Sequence, residues 1–238
     1  MERIDDLQLD GLKIVQDTNG YGFTSDSVLL ANFVKAKHSD ICVEIGSGSG
    51  IISILVNYKE KPKKIYAFEI QEGAYNLMVK NIKSNNMNDT IQPINSKVQN
   101  WKNYLDSGCA NIVFVNPPYF KYDENVVGEN EIKNISRFDK YLTFKDLFEC
   151  VGYLLKNGGK LYFICLSNRI YECFYTMKKY NITPKKIYFV HPNENKNSTV
   201  FLCEAVKGGK DDLIVMPPLF TNNLDGDYIQ TIQKLYKK

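Results

Sequence analysis

The chain has 238 residues, 44% of them hydrophobic and 24% charged, which suits a globular domain and excludes a disordered or collagen-like one. Its formal charge is only +3, and the basic residues are 27 Lys and 3 Arg beside 24 Asn and 22 Ile. That composition fits AT-rich coding better than selection for an anionic partner, so charge alone neither demands nor excludes one. No run of 18 apolar residues occurs, which predicts that the chain does not enter a membrane. Asp5 and Asp6 stand where an export signal needs apolar residues. The six cysteines are scattered without a C-x-x-C pair and read as reduced, structural thiols, so a cytoplasmic location is expected.

In chain order, residues 1–39 read as an N-terminal extension with an amphipathic segment from Asp26 to Val34 after Thr24 and Ser25. From residue 40, β-branched runs alternate with helical periodicity. Strands are predicted at Ile41–Ile45, Lys64–Glu69, Ile91–Asn95, Asn111–Asn116 and Lys160–Leu166. Thr143 and Asp146 form a capping box that opens a helix, which Gly158 and Gly159 are expected to end. Lys186–His191 and Thr199–Val206 have no helix between them and predict a hairpin around Pro192 and Asn193. The expected fold class is therefore α/β: a Rossmann-like, seven-stranded, mostly parallel sheet with helices on both faces and a C-terminal antiparallel hairpin. Residues 40–207 form the expected catalytic domain. Residues 208–238 read as a tail of the same domain, ending in a short helix around Ile229 and Ile232.

Two motifs carry chemistry. The first is Glu44-Ile-Gly46-Ser-Gly48-Ser-Gly50, at the exit of the first of these strands. Glycines let the backbone turn tightly and approach a ligand closely. The spacing does not match the G-x-G-x-x-G/A of a dinucleotide site, and the leading acid would repel a phosphate. Glu69 ends the next strand, where a carboxylate can accept from two ribose hydroxyls. Together these features fit S-adenosylmethionine. A merely structural glycine turn is the alternative.

The second motif is Asn116-Pro117-Pro118-Tyr119, at the end of the fourth of these strands. The nitrogen of an exocyclic amine or amide is a poor nucleophile because its lone pair is delocalised. The Asn116 side-chain oxygen and the Pro117 carbonyl could accept its two hydrogens, aim the lone pair and stabilise the charge that develops on attack. The prolines hold the carbonyl rigidly, and Tyr119 offers a face for a planar group. The plainer alternative is a Pro-Pro turn that closes a strand. No metal site is expected, since only His38 and His191 are present.

These motifs are similar to those of class I S-adenosylmethionine-dependent methyltransferases that act on amino groups. Phe23–Ala31, Asn116–Lys121, Arg137–Leu147, Phe189–Pro192, Lys207–Lys210 and Met216–Leu219 look like blocks of the bacterial tRNA(Val) adenine-N6 methyltransferases, so the resemblance covers nearly the whole chain. It implies that Glu44, Gly46, Gly48 and Gly50 line the methionine and ribose side of the cofactor. Glu69 would take the ribose hydroxyls and Ile70 would lie against adenine. Thr24 and Asp26 would lie near the methionine end, while Asn116 and Tyr119 hold the target base. One departure stands out. Relatives commonly carry an acid for the cofactor's adenine amine, and here the matching stretch is Asn95-Ser96-Lys97, whose lysine cannot accept that bond.

The implied activity is methyl transfer from S-adenosylmethionine to N6 of an adenosine in a tRNA anticodon loop, at the purine 3′ of the anticodon in a valine tRNA, by a monomer or weak dimer. The polar segment Phe120–Lys140 is a candidate lid, and any RNA grip is expected as a lysine patch near Tyr119, with Arg137 or Arg169 beside it. Two other readings are glutamine-N5 methylation of a protein, disfavoured by the absence of a helical domain within the 43 residues before Glu44, and a catalytically silent RNA-binding module.

Overall fold

The computed structural model describes residues 2–17, 22–120 and 141–222. The candidate lid beyond Phe120, Arg137 and the tail helix lie outside them. A hairpin of β1 (Glu2–Asp6) and β2 (Lys13–Asp17) leads to α1 (Ser25–Phe33). The alternating units follow: β3 (Ile41–Ile45), α2 (Ile51–Glu60), β4 (Lys64–Glu69), α3 (Glu72–Ser84), β5 (Ile91–Asn95) and β6 (Ala110–Val115). After these come α4 (Phe144–Leu154), β7 (Leu155–Leu166), α5 (Ile170–Lys179), β8 (Ile182–His191) and β9 (Val200–Lys207).

The sheet runs β5-β4-β3-β6-β7-β9-β8, parallel from β5 to β7, with β9 antiparallel to both β7 and β8. All seven expected strands and the terminal hairpin are therefore present. Two short strands from the tail, β10 (Ile214–Val215) and β11 (Leu219–Phe220), add to β8 and bring the sheet to nine. At two residues each they are too short to show any periodicity.

Period-two alternation sends Ile112 and Phe114 to one face and Val113 and Val115 to the other. The first face packs on α1, α2 and α3 through Leu30, Ile54 and Met78, the second on α4 and α5 through Phe148, Val151 and Met177. The six cysteines are free thiols, five of them buried. The Thr143–Asp146 capping box is present, with the Thr143 side chain accepting from Asp146 N.

Gly158 and Gly159 do not end a helix. The helix stops at Leu154, and both glycines lie within β7, beside a register shift against β6. Gly158 has φ +78°, and a Cβ on Gly159 would approach Lys156 O to 2.9 Å, so the pair marks an irregularity in the strand.

The N-terminal hairpin was not expected from its polar sequence. Two asparagines one turn apart hold it, Asn81 on α3 and Asn85 at its C-cap. Asn81 accepts from Val15 N (2.7 Å) and donates to Val15 O (3.0 Å), while Asn85 accepts from Lys13 N (3.1 Å) and donates to Lys13 O (2.7 Å). The two side chains thus pair with β2 as a neighbouring strand would. Asn81, fully buried, also donates to Ser49 O (2.9 Å) in the Gly-rich turn. Asn81→Leu leaves these buried backbone groups unpaired and is expected to cost on the order of 2–4 kcal/mol in urea unfolding. A loss below about 0.5 kcal/mol, within the range of surface substitutions, would show that the latch contributes nothing.

Candidate active site

Strand order reverses at β3, which has β4 on one side and β6 on the other. In an open parallel sheet this reversal opens a crevice beyond the strands' carboxyl ends. A cleft of about 720 Å³ lies there, within the range of small-molecule sites. Its walls come from the Gly-rich turn after β3, Glu69–Gln71 after β4, Ser96–Gln99 after β5 and Asn116–Phe120 after β6. Gly22–Thr24 and Ser27 of the extension, with Tyr141 and Leu142, complete the lining.

The turn hangs from the end of β4. Gly46 N and Ser47 N both donate to Phe68 O at 2.9 Å, and Gly48 N donates to Glu69 Oε2 at 2.8 Å. Gly46 and Gly48 have φ +69° and +54°, the left-handed region that favours glycine, and a Cβ on either would meet nothing within 4 Å. Gly50, with φ +85°, opens α2 and presses on the next helix, since a Cβ there would come to 2.9 Å from Met78 Cγ. It serves helix packing and is not part of the cleft wall.

Glu44 does not line the cleft either. It is fully buried beneath the turn, where Oε2 accepts from Ser53 N (3.1 Å) and from the Ser53 hydroxyl in the first turn of α2. Its Oε1 has no hydrogen-bond partner. Burial pushes the Glu44 carboxyl up to about 8, against the opposing effect of the Ser53 bonds.

Glu69 does face the cleft. Oε1 accepts from Gln71 N and Oε2 from Gly48 N, each at 2.8 Å, which fixes the carboxylate and leaves each oxygen a second lone pair. Burial raises its pKa, and these backbone bonds oppose the rise. Ile70 beside it adds apolar surface.

At the opposite end, Asn116 lines the cleft, with Nδ2 3.5 Å from Ser27 Oγ and a buried Oδ1 that has no partner. Tyr119 is held at two points. Its hydroxyl donates to Asp26 Oδ2 at 2.5 Å, and its carbonyl accepts from Arg169 Nη1 at 3.2 Å. Asp26 therefore acts behind the wall, while Thr24 lies on it. Burial raises the pKa of Asp26, and the Tyr119 bond opposes that. Arg169 is itself buried at 7% exposure, paired with Glu172 and seated 4.0 Å from the Phe144 ring centroid. It braces the tetrapeptide from inside and is not the surface grip expected of it. Its contact with Tyr119 links residues 50 apart in sequence, a separation no local pattern signals.

Lys97 lines the cleft, but its ammonium sits over the Tyr141 ring, 5.6 Å from the centroid. Gln99 Nε2 donates to Tyr141 O at 2.9 Å, so both side chains fasten Tyr141 to this end of the cleft. Asn95 is absent from the lining, and its amide donates to Glu69 O at 3.1 Å.

The residues fit S-adenosylmethionine. Glu69 offers two oriented acceptors, the glycine turn leaves room along the backbone, and the described lining carries no cation other than the diverted Lys97.

Fold and cleft are similar to those of class I S-adenosylmethionine-dependent methyltransferases. The TRM5/TYW2 methyltransferase domain model matches residues 27–126. The chain is similar to the tRNA1(Val) (adenine(37)-N6)-methyltransferase of Christiangramia forsetii, with 26% identity over 184 residues, 76% of each chain. Among solved structures it resembles a predicted O-methyltransferase from Agrobacterium tumefaciens at TM-score 0.71 and 16% identity, covering 89% of this chain and 95% of that one. It also resembles TYW2 of M. jannaschii in complex with AdoMet at TM-score 0.58 and 17% identity, covering 87% and 86%. In sequence, then, the chain resembles the bacterial tRNA1(Val) adenine-N6 methyltransferases within that class.

The raised pKa of Glu44 has a consequence for stability. Its neutral form is the one the fold prefers, so that contribution is fully present below the ordinary value of 4.5 and is lost as pH rises through about 8. Glu44→Gln is expected to flatten the fall of Tm across this window. An unchanged slope would show that Glu44 does not titrate there.

Proposed function

We propose that the chain methylates the exocyclic N6 amine of an adenosine in tRNA, at the purine 3′ of the anticodon in a valine tRNA. The observation that carries this reading is the buried, unpartnered Asn116 Oδ1 at the end of β6, next to β3 and its glycine turn, beside a Tyr119 held at both hydroxyl and carbonyl. An unpaired buried acceptor costs stability unless a ligand donor satisfies it, and an amino hydrogen is such a donor. The names borne by the relatives in sequence give the substrate class and the nucleoside.

Bound S-adenosylmethionine supplies an electrophilic methyl group on a positively charged sulfur. Glu69 would hold the ribose hydroxyls, Gly46 and Gly48 the chain running toward the sulfur, and Ile70 the adenine ring. Thr24 and Ser27 would border the methionine end, with Asp26 acting through Tyr119. Ser96 or Gln99 takes the place of the missing acid at the adenine amine, since both line the cleft and Lys97 is turned to Tyr141.

On the substrate side, Asn116 Oδ1 and the Pro117 carbonyl accept the two amine hydrogens, which localises the nitrogen lone pair and directs it into the cleft. Pro117 and Pro118 keep that carbonyl rigid, and the Tyr119 ring stacks on the base. With the cofactor bound, the nitrogen would take the methyl group in line and leave the sulfur as a neutral thioether, and the amine proton would pass to solvent after attack, so no strong base is required. Positioning and electrostatics supply the rate. A loop adenosine is partly unstacked already, so flipping it costs only a few kcal/mol. We assign catalysis to residues 40–207, with 1–39 as an N-terminal extension and 208–238 as a tail of the same domain, in a cytoplasmic monomer or weak dimer.

The test is methylation of total tRNA lacking the modification, followed by nucleoside analysis; N6-methyladenosine in valine tRNA is expected. Asn116→Ala is expected to lower the rate by roughly 10²–10³-fold, as loss of an oriented polar partner does elsewhere, with cofactor affinity by calorimetry nearly intact. Parallel loss of both would overturn the role given to Asn116.

A further inference from the structure

Arg169 is buried, so the element it begins must offer any RNA contact through other side chains. Helix α5 starts at Ile170, directly after it, beyond the carboxyl end of β7. Tyr171 is 80% exposed and Tyr175 57% exposed. Their rings stack on each other at 6.2 Å between centroids and 15° between planes. The Lys179 ammonium lies over the Tyr175 ring, 4.4 Å from its centroid, and Lys178 beside it is also exposed. Spacing of four residues keeps the three side chains on one face of the helix. At 1.5 Å of rise per residue they span about 12 Å, the length of three or four stacked nucleotides.

We infer that Tyr171, Tyr175 and Lys179 form a docking surface for unpaired nucleotides that flank the target base of the RNA substrate. Stacked on Tyr175, the Tyr171 ring is 80% exposed and ends the stack with a face open to a base, while the Lys179 ammonium at the other end offers a charge for phosphate, which together are what a single strand requires. The near end of this face is tied to the site, because Arg169, which pairs with Glu172 in the first turn of α5, also donates to the Tyr119 carbonyl. The nearest acid on the helix, Glu172, is paired with Arg169, so it does not oppose a phosphate there as a free charge would. A protein partner would be served by an apolar patch, whereas here hydroxyl-bearing rings and exposed lysines share the face. This inference rests on the reading of the chain as a tRNA methyltransferase.

The experiment compares the full chain with the double variant Tyr171→Ala/Tyr175→Ala on unmodified tRNA. The KM for tRNA is expected to rise about ten-fold or more, with kcat at saturating tRNA, cofactor affinity and Tm unchanged. Tyr171→Phe/Tyr175→Phe keeps the ring faces and is expected to restore most of the affinity. Lys179→Ala is expected to reduce the salt slope of tRNA binding by about 1. An unchanged KM in the alanine variant, or equal losses in the phenylalanine and alanine variants, would overturn the docking surface while leaving the methyltransferase reading intact. If the wild-type chain methylates no RNA, it is the reading itself that fails.

Discussion

Three hydrogen bonds from the glycine turn to the end of one neighbouring strand set the geometry on which the site depends. Gly46 N and Ser47 N share the Phe68 carbonyl, and Gly48 N takes an oxygen of Glu69. The parallel register of β3 and β4, with Ile45 opposite Phe68, brings these groups to the same level. The turn and the carboxylate therefore form a single unit. A shift of β4 would move the carboxylate and let go of the turn together. The fixed Glu69 oxygens then point their remaining lone pairs into the crevice at no further ordering cost when a ligand arrives.

Beneath that unit, Glu44 explains why this glycine turn is not a phosphate site. A helix N-terminus that follows such a turn offers free backbone N–H groups to an anion. Here the Glu44 carboxyl, rising from β3, already takes Ser53 N and the Ser53 hydroxyl in the first turn of α2. The anion position is filled from within the fold. The acid thus occupies these donors from behind the wall, and does so by hydrogen bonding and not by repulsion. Its burial also makes the neutral form preferable, which removes a negative charge from the floor of the turn.

Most of the sheet was legible because its strands are buried on both faces and read as continuous β-branched runs. The motifs were legible for a related reason: glycine at positive φ and a rigid Pro-Pro pair are local demands written in consecutive residues. What escaped was fixed by distant partners. The β1–β2 hairpin is polar and gains its place from Asn81 on α3 and Asn85 at its C-cap, some 66 to 72 residues away. Gly158 and Gly159 satisfy the pattern of a helix stop and of a strand irregularity equally well, and only pairing with β6 decides between them. Glu44 and Glu69 look alike at the ends of adjacent strands, yet one points under the turn and the other into the cleft. Alternation along a strand could have separated them only with the turn's own path in hand.

Arg169 changes what the chain's charge means. The sequence predicts an RNA grip from a lysine patch near Tyr119 with Arg137 or Arg169 beside it. Arg169 is buried against Phe144, with its charge balanced by Glu172, because a planar guanidinium can stack, pair and donate to a backbone carbonyl at once. A lysine's single ammonium could not hold those three contacts together. The long-range field of a +3 protein is weak and screened within about 10 Å at ordinary salt. Selectivity for a polyanion must then come from short-range geometry, and on α5 the exposed geometry is aromatic first and cationic second.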